Sequence, residues 1–109
     1  MNMNDYQAQA ITTFLLRGHK NALMYLGLGI GDEAGEVQGK LKKILRDQDG
    51  KMLPENIAEI KKELGDVMWY VANLADELGL SLEEVAKLNI EKLASRAERG
   101  KLTGSGDNR

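Results

Sequence analysis

The segment Asp32–Glu36 (DEAGE) lies in the middle of a long stretch with helical periodicity, and it decides how the rest of the chain is interpreted. Glu33 and Glu36 are three residues apart, and so are Glu63 and Asp66 further along the chain. Residues at this spacing share one face of a helix, so the carboxylates of each pair converge. If the two helices are neighbours, four negative charges repel one another unless a cation lies among them. The pattern therefore predicts a metal site, and the all-oxygen ligand set favours Mg²⁺.

An alternative is that these carboxylates form solvated helix faces or ion pairs with nearby lysines. The lysines at a suitable spacing are Lys40, Lys43, Lys61 and Lys62. Each acidic pair, however, is flanked by apolar positions, Ile30 and Val37 in one helix and Ile60 and Val67 in the other. Carboxylates at the rim of an apolar core need a partner. We therefore favour the metal site over the solvated face.

The composition of the chain bounds its fold class. Its 109 residues with one proline and long runs of Ala, Leu, Glu and Lys predict a single all-α domain, a four-to-five-helix bundle. We place this domain at residues 1–99 and a glycine-rich C-terminal tail at residues 100–109. A chain this short buries a limited core, so assembly into a homodimer or homotetramer would stabilise it.

Charge and cysteine content exclude several function classes. The net charge of −2 gives no global basic field, which argues against polymeric nucleic acid as a partner. The absence of cysteine excludes disulfides, a thiolate nucleophile and Cys-ligated zinc. No apolar run approaches the roughly 18–20 residues that span a bilayer, so no membrane partner is expected. Residues 1–5 lack the features of a signal peptide, and we expect a cytoplasmic protein.

Turn and capping signals divide the chain into four predicted helices. The first begins near Asn4 or Asp5, either of which could cap it, and ends in a turn at residues 18–21. The second covers residues 21–46, and a polar loop follows at residues 47–51. The remaining two are expected from Pro54 to about Leu78, and from a capping box at Ser81–Glu84 onward.

The second predicted helix carries five glycines, each of which costs about 1 kcal/mol against alanine in a helix interior. They are Gly27, Gly29, Gly31, Gly35 and Gly39. Close approach of a neighbouring helix would offset this cost, and a break at residues 27–31 is the alternative. The run GLGIG at residues 27–31 is not interpreted as a dinucleotide-binding loop, because no strand precedes it and the third glycine is misplaced.

A basic stripe on the fourth helix predicts phosphate binding. Asn89, Lys92 and Arg96 are spaced three and four residues apart and share one face. Lysine and arginine bind phosphate, arginine in a bidentate manner. A solvated helix face is the alternative, and the neighbouring metal site favours the phosphate interpretation. His19 is the only histidine, so neither a Ser-His-Asp triad nor a histidine-containing di-iron site is expected.

Three blocks of the sequence, in this order, resemble the MazG-like nucleotide pyrophosphohydrolases of the all-α NTP pyrophosphatase superfamily. The first is Asp32-Glu33-x-x-Glu36, the second runs from Glu63 to Tyr70 (ELGDVMWY), and the third runs from Asn89 to Arg96. The resemblance covers about residues 20–97. It departs from the family pattern at Asp32, where the family usually has glutamate, and this residue is therefore given a supporting role.

The resemblance implies hydrolysis of a nucleoside triphosphate to the monophosphate and pyrophosphate, with Mg²⁺ as the cofactor and Mn²⁺ as a possible substitute. It makes Glu33, Glu36, Glu63 and Asp66 the metal ligands, and it gives the catalytic roles to Glu33, Glu36 and Asp32. Either Asp32 or Glu33 would help to deprotonate the attacking water. Substrate binding falls to Asn89, Lys92 and Arg96, and Lys40 and Lys43 could add to it. Members of the family assemble as dimers or tetramers.

Three other hypotheses remain open at this point. One is a dUTPase-type or dCTPase-type hydrolase on the same scaffold. Another is a non-catalytic helical interaction module, which would explain a wide apolar face on the third helix but not the acidic pairs beside it. The last is a di-metal redox bundle, against which the lack of histidine ligands counts.

Overall fold

The computed structural model describes residues 1–109 and contains helices, turns and no strands, which confirms the predicted all-α class. The four α-helices are α1 (Met3–Ala10), α2 (Ala22–Asp47), α3 (Pro54–Glu77) and α4 (Leu82–Glu98), and a short 3₁₀-helix at Ile11–Thr13 follows α1. The predicted bounds of α2 and α3 hold to within one residue. None of these helices is long and apolar enough to cross a bilayer.

Helices α2 and α3 form an antiparallel pair that dominates the fold. Contacts along the pair run in opposite directions on the two helices, from Gly29 against Tyr70 to Lys40 against Glu59. The connecting loop is closed by Gln48, whose side-chain amide donates to Asn56 Oδ1 at 2.8 Å. This arrangement places the middle of α2 beside the middle of α3, where the two acidic pairs of the sequence lie.

Glycine makes the close contact between α2 and α3 possible at one position. A Cβ on Gly29 would lie 2.0 Å from the ring of Tyr70, a distance that real atoms do not adopt. The prediction that a helix approaches the glycines closely is therefore correct at Gly29. Cβ atoms on the other four α2 glycines would meet nothing within 4 Å in one chain. The helix is continuous through residues 27–31, so the alternative of a break there is wrong.

The first helix differs from the sequence prediction at both ends. Its N-cap is Asn2, whose Oδ1 accepts from the Asp5 backbone N–H at 2.8 Å, while Asp5 accepts from Asn2 N–H at 3.2 Å. This reciprocal pair moves the start of the helix ahead of the predicted caps. The helix also ends at Ala10 rather than near Gly18, because a single 3₁₀ turn follows and Phe14 adopts an extended conformation.

The buried core of one chain is small. Only 12 of the 109 residues are buried, and the largest fully buried side chains are Leu26 and Asn73. The radius of gyration is 16.7 Å, whereas a compact domain of this length has about 13 Å. Apolar residues of α2 and α3 line an open groove of about 610 Å³ that includes Leu41, Ile57 and Leu64. The wide apolar face predicted for α3 is therefore present, and one chain leaves much of it uncovered.

Helix α4 begins in the core and then leaves it. Ser81 caps it by accepting from the Glu84 N–H at 3.1 Å, which is one half of the predicted capping box, and Leu82 packs against Ala10 and Ala72. Gln7 joins these elements, because its side chain donates to Leu80 O and accepts from Leu82 N–H. Beyond its first turns, α4 has only exposed or half-exposed residues until Arg96. Helix α4 contacts α1 and α3 but not α2.

Candidate metal centre

The structure brings three of the predicted ligands together. One carboxylate oxygen from each of Glu33, Glu63 and Asp66 lies within 4.8 Å of the others. Glu33 projects from α2, and the other two project from successive turns of one face of α3. Glu33 and Glu63 are half-buried and Asp66 is exposed, so the cluster opens to solvent on one side. We call these three residues the acidic cluster.

Glu36 and Asp32, the other predicted acidic residues, lie beside the acidic cluster. Both are exposed on α2, Glu36 one turn beyond Glu33 and Asp32 next to it in sequence. The negative charges of both raise the pKa of Glu33. Glu36 is therefore close enough to act on the cluster electrostatically, although its carboxylate is not among the three that converge.

Like charges crowd Glu33. Partial burial raises the pKa of its carboxyl group, and the nearby charges of Asp66 and Glu63 raise it further. The shift shows that the ionised form of Glu33 is disfavoured where it stands. A cation between the three carboxylates would remove that penalty.

The predicted basic residues on α2 lie along the same helix pair. Lys40 Nζ is 3.2 Å from Glu59 Oε2 and 3.7 Å from Glu63 Oε1, so it places one positive charge at the edge of the acidic cluster. Lys43 is exposed one turn further on and lines a polar recess of about 290 Å³ with Lys40. Lys40 offsets part of the negative charge of Glu63, and the other two carboxylates form no ion pair.

The predicted basic stripe of α4 does not reach the acidic cluster within one chain. Lys92 and Arg96 both form ion pairs with Asp107 of the tail, at 2.7 and 3.2 Å. Asn89 is exposed one turn earlier on the same helix. The three basic-stripe residues share one face of α4, as predicted. The sequence did not predict that the carboxylate of Asp107 binds to this face.

Three tyrosines lie near acidic residues of this region. Burial raises the pKa of the Tyr6 hydroxyl, and the charge of Asp66 raises it further. Tyr25 and Tyr70 line a recess of about 280 Å³ with Gly29 and Asp32. A hydrogen bond to Tyr25, together with burial, raises the pKa of Tyr70 to about 12.

Two features of the structure were not predicted from the sequence, the position of Tyr25 and the contacts of Asp107. Tyr25 lies four residues before Gly29 and seven before Asp32, so helical periodicity contained the signal that these residues share a face. Asp107 gave no such signal, because it lies in a polar, glycine-rich segment without periodicity. The tail folds onto α4 of its own chain, where Asp107 contacts Lys92 and Arg96.

The donor set of the acidic cluster fits a hard divalent cation. All three donors are carboxylates, there is no cysteine in the chain, and the only histidine lies in the turn before α2. Mg²⁺ prefers oxygen ligands and typically retains several waters, which the solvent-open side of the cluster allows. Glu33, Glu63 and Asp66 are therefore the residues that could hold the metal, with Glu36 at its edge.

Comparison with known proteins gives one family. The model of the MazG nucleotide pyrophosphohydrolase domain matches residues 22–100. The chain is 46% identical to the Gene 37 protein of Mycobacterium phage L5 over 114 aligned positions that cover all of both chains. It is 39% identical to the uncharacterized protein YvdC of Bacillus subtilis (strain 168) over 72 positions, which cover 62% of this chain and 68% of that protein. No solved structure matches the chain.

The crowding of charges predicts an unusual effect of Glu33→Gln on stability. The raised pKa means that ionised Glu33 is disfavoured in the folded state, so stability falls as the pH rises from the ordinary pKa of the carboxyl group through the raised one, and the cost persists above it. At pH 7 without metal, we expect Glu33→Gln to raise Tm. Added Mg²⁺ should raise Tm of the wild-type protein and have little effect on the variant, because a ligand bound only by the folded state stabilises it.

Thermal unfolding with EDTA and with Mg²⁺ measures both effects. Glu55→Gln is the matched control, since Glu55 lies in the first turn of α3, is exposed and forms no ion pair. A lower Tm for Glu33→Gln in EDTA, or an equal response of both proteins to Mg²⁺, would contradict the assignment.

Proposed function

We propose that this chain, which belongs to the MazG nucleotide pyrophosphohydrolase family, is a Mg²⁺-dependent enzyme that converts a nucleoside triphosphate and water to the monophosphate and pyrophosphate. The observation that supports this proposal best is the acidic cluster, in which three carboxylate oxygens lie within 4.8 Å of one another. The family match supports the reaction class, and the cluster supports the metal dependence.

Glu33, Glu63 and Asp66 hold the metal in this proposal, and Glu36 completes the set of four ligands. When bound, Mg²⁺ would offset the negative charge of the phosphates and acidify water in the site. The protein supplies a fixed position for this chemistry, because the ligands come from the middles of two long, paired helices. Such helices hold side chains more rigidly than loops do.

A carboxylate of α2 takes the proton from the attacking water. The water oxygen forms a bond to the α-phosphorus, the bond from that phosphorus to the bridging oxygen of the β-phosphate breaks, and pyrophosphate leaves. Asp32 and Glu33 are the two candidates for the base. Either residue acts as the base through a carboxylate oxygen that is not bound to the metal.

Basic side chains bind the phosphates of the substrate. Lys92 and Arg96 offer a point charge and a planar fork of donors on one face of α4, with Asn89 beside them. Lys40 already lies 3.7 Å from Glu63 at the edge of the cluster and is positioned to contact a phosphate, and Lys43 lies next to it in the polar recess. These charges would stabilise the negative charge that develops on the leaving pyrophosphate.

A second copy of the chain supplies the basic pair in this proposal. Helix α4 does not contact α2, and Lys92 and Arg96 form no ion pair with the acidic cluster of their own chain. The groove beside the cluster is apolar and open, and it includes Leu64 and Met68. A homodimer or homotetramer that covers this groove can bring α4 of one copy to the acidic cluster of another.

The reaction class is tested by product analysis on a panel of NTPs and dNTPs, with Mg²⁺ and with EDTA. We expect pyrophosphate and the monophosphate with Mg²⁺ and no turnover with EDTA. Asp66→Asn should reduce kcat at least about 1,000-fold, because it removes a metal ligand. The panel includes dUTP and dCTP, and exclusive turnover of either would identify the dUTPase-type or dCTPase-type alternative. Release of orthophosphate, or full activity of Asp66→Asn, would contradict the proposal.

Mixing two inactive variants tests the shared site. Asp66→Asn and Lys92→Ala are each expected to be nearly inactive alone, since each lacks one half of the site. If the halves come from different copies, mixed oligomers contain some intact sites, and we expect activity of the order of a quarter of wild type after co-refolding or co-expression. Activity that stays at the level of the single variants would show that both halves act within one chain. A mixture of Asp66→Asn with Glu63→Gln is the control that should stay inactive in either case.

A further inference from the structure

The tail, residues 100–109, folds back into a loop of defined shape. The Arg109 side chain crosses this loop and donates to three backbone oxygens, those of Lys101, Leu102 and Gly106, at 2.7 to 3.2 Å. Gly104 and Gly106 have φ values of 108° and 91°, a region that glycine adopts without strain and other residues rarely adopt. The sequence of the tail therefore specifies a loop rather than a flexible end.

This loop directs Asp107 onto the basic pair of α4. Asp107 Oδ1 accepts from Lys92 Nζ at 2.7 Å and from Arg96 Nη2 at 3.2 Å, and its backbone oxygen accepts from the same Nη2 at 2.6 Å. Hydrogen bonds from both cations hold the pKa of Asp107 below its ordinary value. One residue thus joins two cations that lie four positions apart on the helix and would otherwise repel each other.

The contacts with Asp107 leave most of the donors free. Lys92 has three N–H donors and uses one, and Arg96 has five and uses the two of Nη2. Arg96 is 95% buried, since its exposed fraction is 5%, and its Nε is buried without a partner. A buried, charged donor without an acceptor is costly, so its presence indicates a partner such as a phosphate oxygen or water.

We propose that Asp107 is a positioning residue for the substrate phosphates: the tail loop holds Lys92 and Arg96 in one orientation, with their remaining donors directed at a phosphate. This proposal rests on the phosphate-binding role proposed above for the two cations. The exposed ends of long basic side chains lose rotamer freedom when they bind, and a carboxylate that fixes them in advance lowers this cost.

A different role for Asp107 would have the opposite effect. If its carboxylate merely occupied the phosphate site, the substrate would have to displace it, and its removal would tighten binding. The geometry favours positioning, because Asp107 uses one donor of Lys92 and one nitrogen of Arg96, which leaves two donors of Lys92 and the Nη1 donors of Arg96 without a hydrogen bond. The two roles are therefore distinguished by the direction of the change in KM.

The first test is steady-state kinetics of Asp107→Ala in the full-length chain. We expect KM for the nucleoside triphosphate to rise about 10-fold and kcat to change less than about 3-fold, since the metal ligands and the base are untouched. Asp107→Asn keeps an acceptor and should be intermediate. Asn108→Ala is the matched control, since Asn108 is the exposed next residue and makes no side-chain hydrogen bond; it should behave as wild type. An unchanged or lower KM for Asp107→Ala would overturn the proposal.

The second test measures binding of inorganic pyrophosphate by calorimetry in EDTA, where the metal does not contribute. Both Lys92→Ala and Asp107→Ala should weaken binding, and the loss in the double variant should be smaller than the sum of the two single losses, because Asp107 acts partly through Lys92. Weakened binding for Lys92→Ala with wild-type binding for Asp107→Ala would overturn the positioning role alone. Wild-type binding for both Lys92→Ala and Arg96→Ala would count against the proposed phosphate site itself, and the positioning role would fail with it.

Discussion

The antiparallel contact between α2 and α3 determines the position of every acidic residue in the site. Within this contact Gly29 admits the ring of Tyr70, and a side chain at residue 29 would have to displace that ring. One turn further along, the same register brings Glu33 within 4.8 Å of Glu63 and Asp66. The apolar packing that pairs the helices thus brings three carboxylates together, and partial burial and their mutual repulsion raise the pKa of Glu33. A cation among the three carboxylates would relieve this repulsion.

The same arrangement leaves the single chain incomplete in two respects. Its apolar groove along α2 and α3 is open to solvent, and its basic residues on α4 lie away from its own acidic cluster. Assembly of two or more copies, which we propose, would cover the groove and bring α4 of one copy to the acidic cluster of another. The tail fits this proposal, because Asp107 binds both cations of the basic pair on α4. The metal-binding residues of one copy and the phosphate-binding residues of another would then each be held in position before assembly, and assembly would bring them together.

Much of the fold follows from local signals in the sequence. Pro54, Gly79 and Ser81 fix the ends of α3 and the start of α4, and their predicted positions hold because capping and turn preferences act over a few residues. The first helix was predicted too long, because Phe14 is extended and packs against Ala22 and Leu26 of the next long helix, α2. Such tertiary contacts have no signature in a local pattern.

The acidic cluster could be predicted only in part from local spacing. Spacing of three places Glu63 and Asp66 on one face, but the convergence of α2 onto α3 selects Glu33 rather than Glu36 as the residue that meets them. The rotation of each helix about its axis decides which glutamate meets α3. Helical periodicity predicts that rotation only to within one turn. Asp107 lay beyond prediction because a polar loop folds through hydrogen bonds to backbone atoms, as Arg109 shows, and such bonds leave no periodic pattern.

Anomalous diffraction from a crystal soaked with Mn²⁺ is the direct test of cation binding by the acidic cluster. We expect one strong anomalous peak between the carboxylates of Glu33, Glu63 and Asp66, at the distance of about 2.2 Å typical of oxygen ligands to such a metal. A crystal that diffracts well and shows no peak there, or a peak only at other residues, would rule out this metal site.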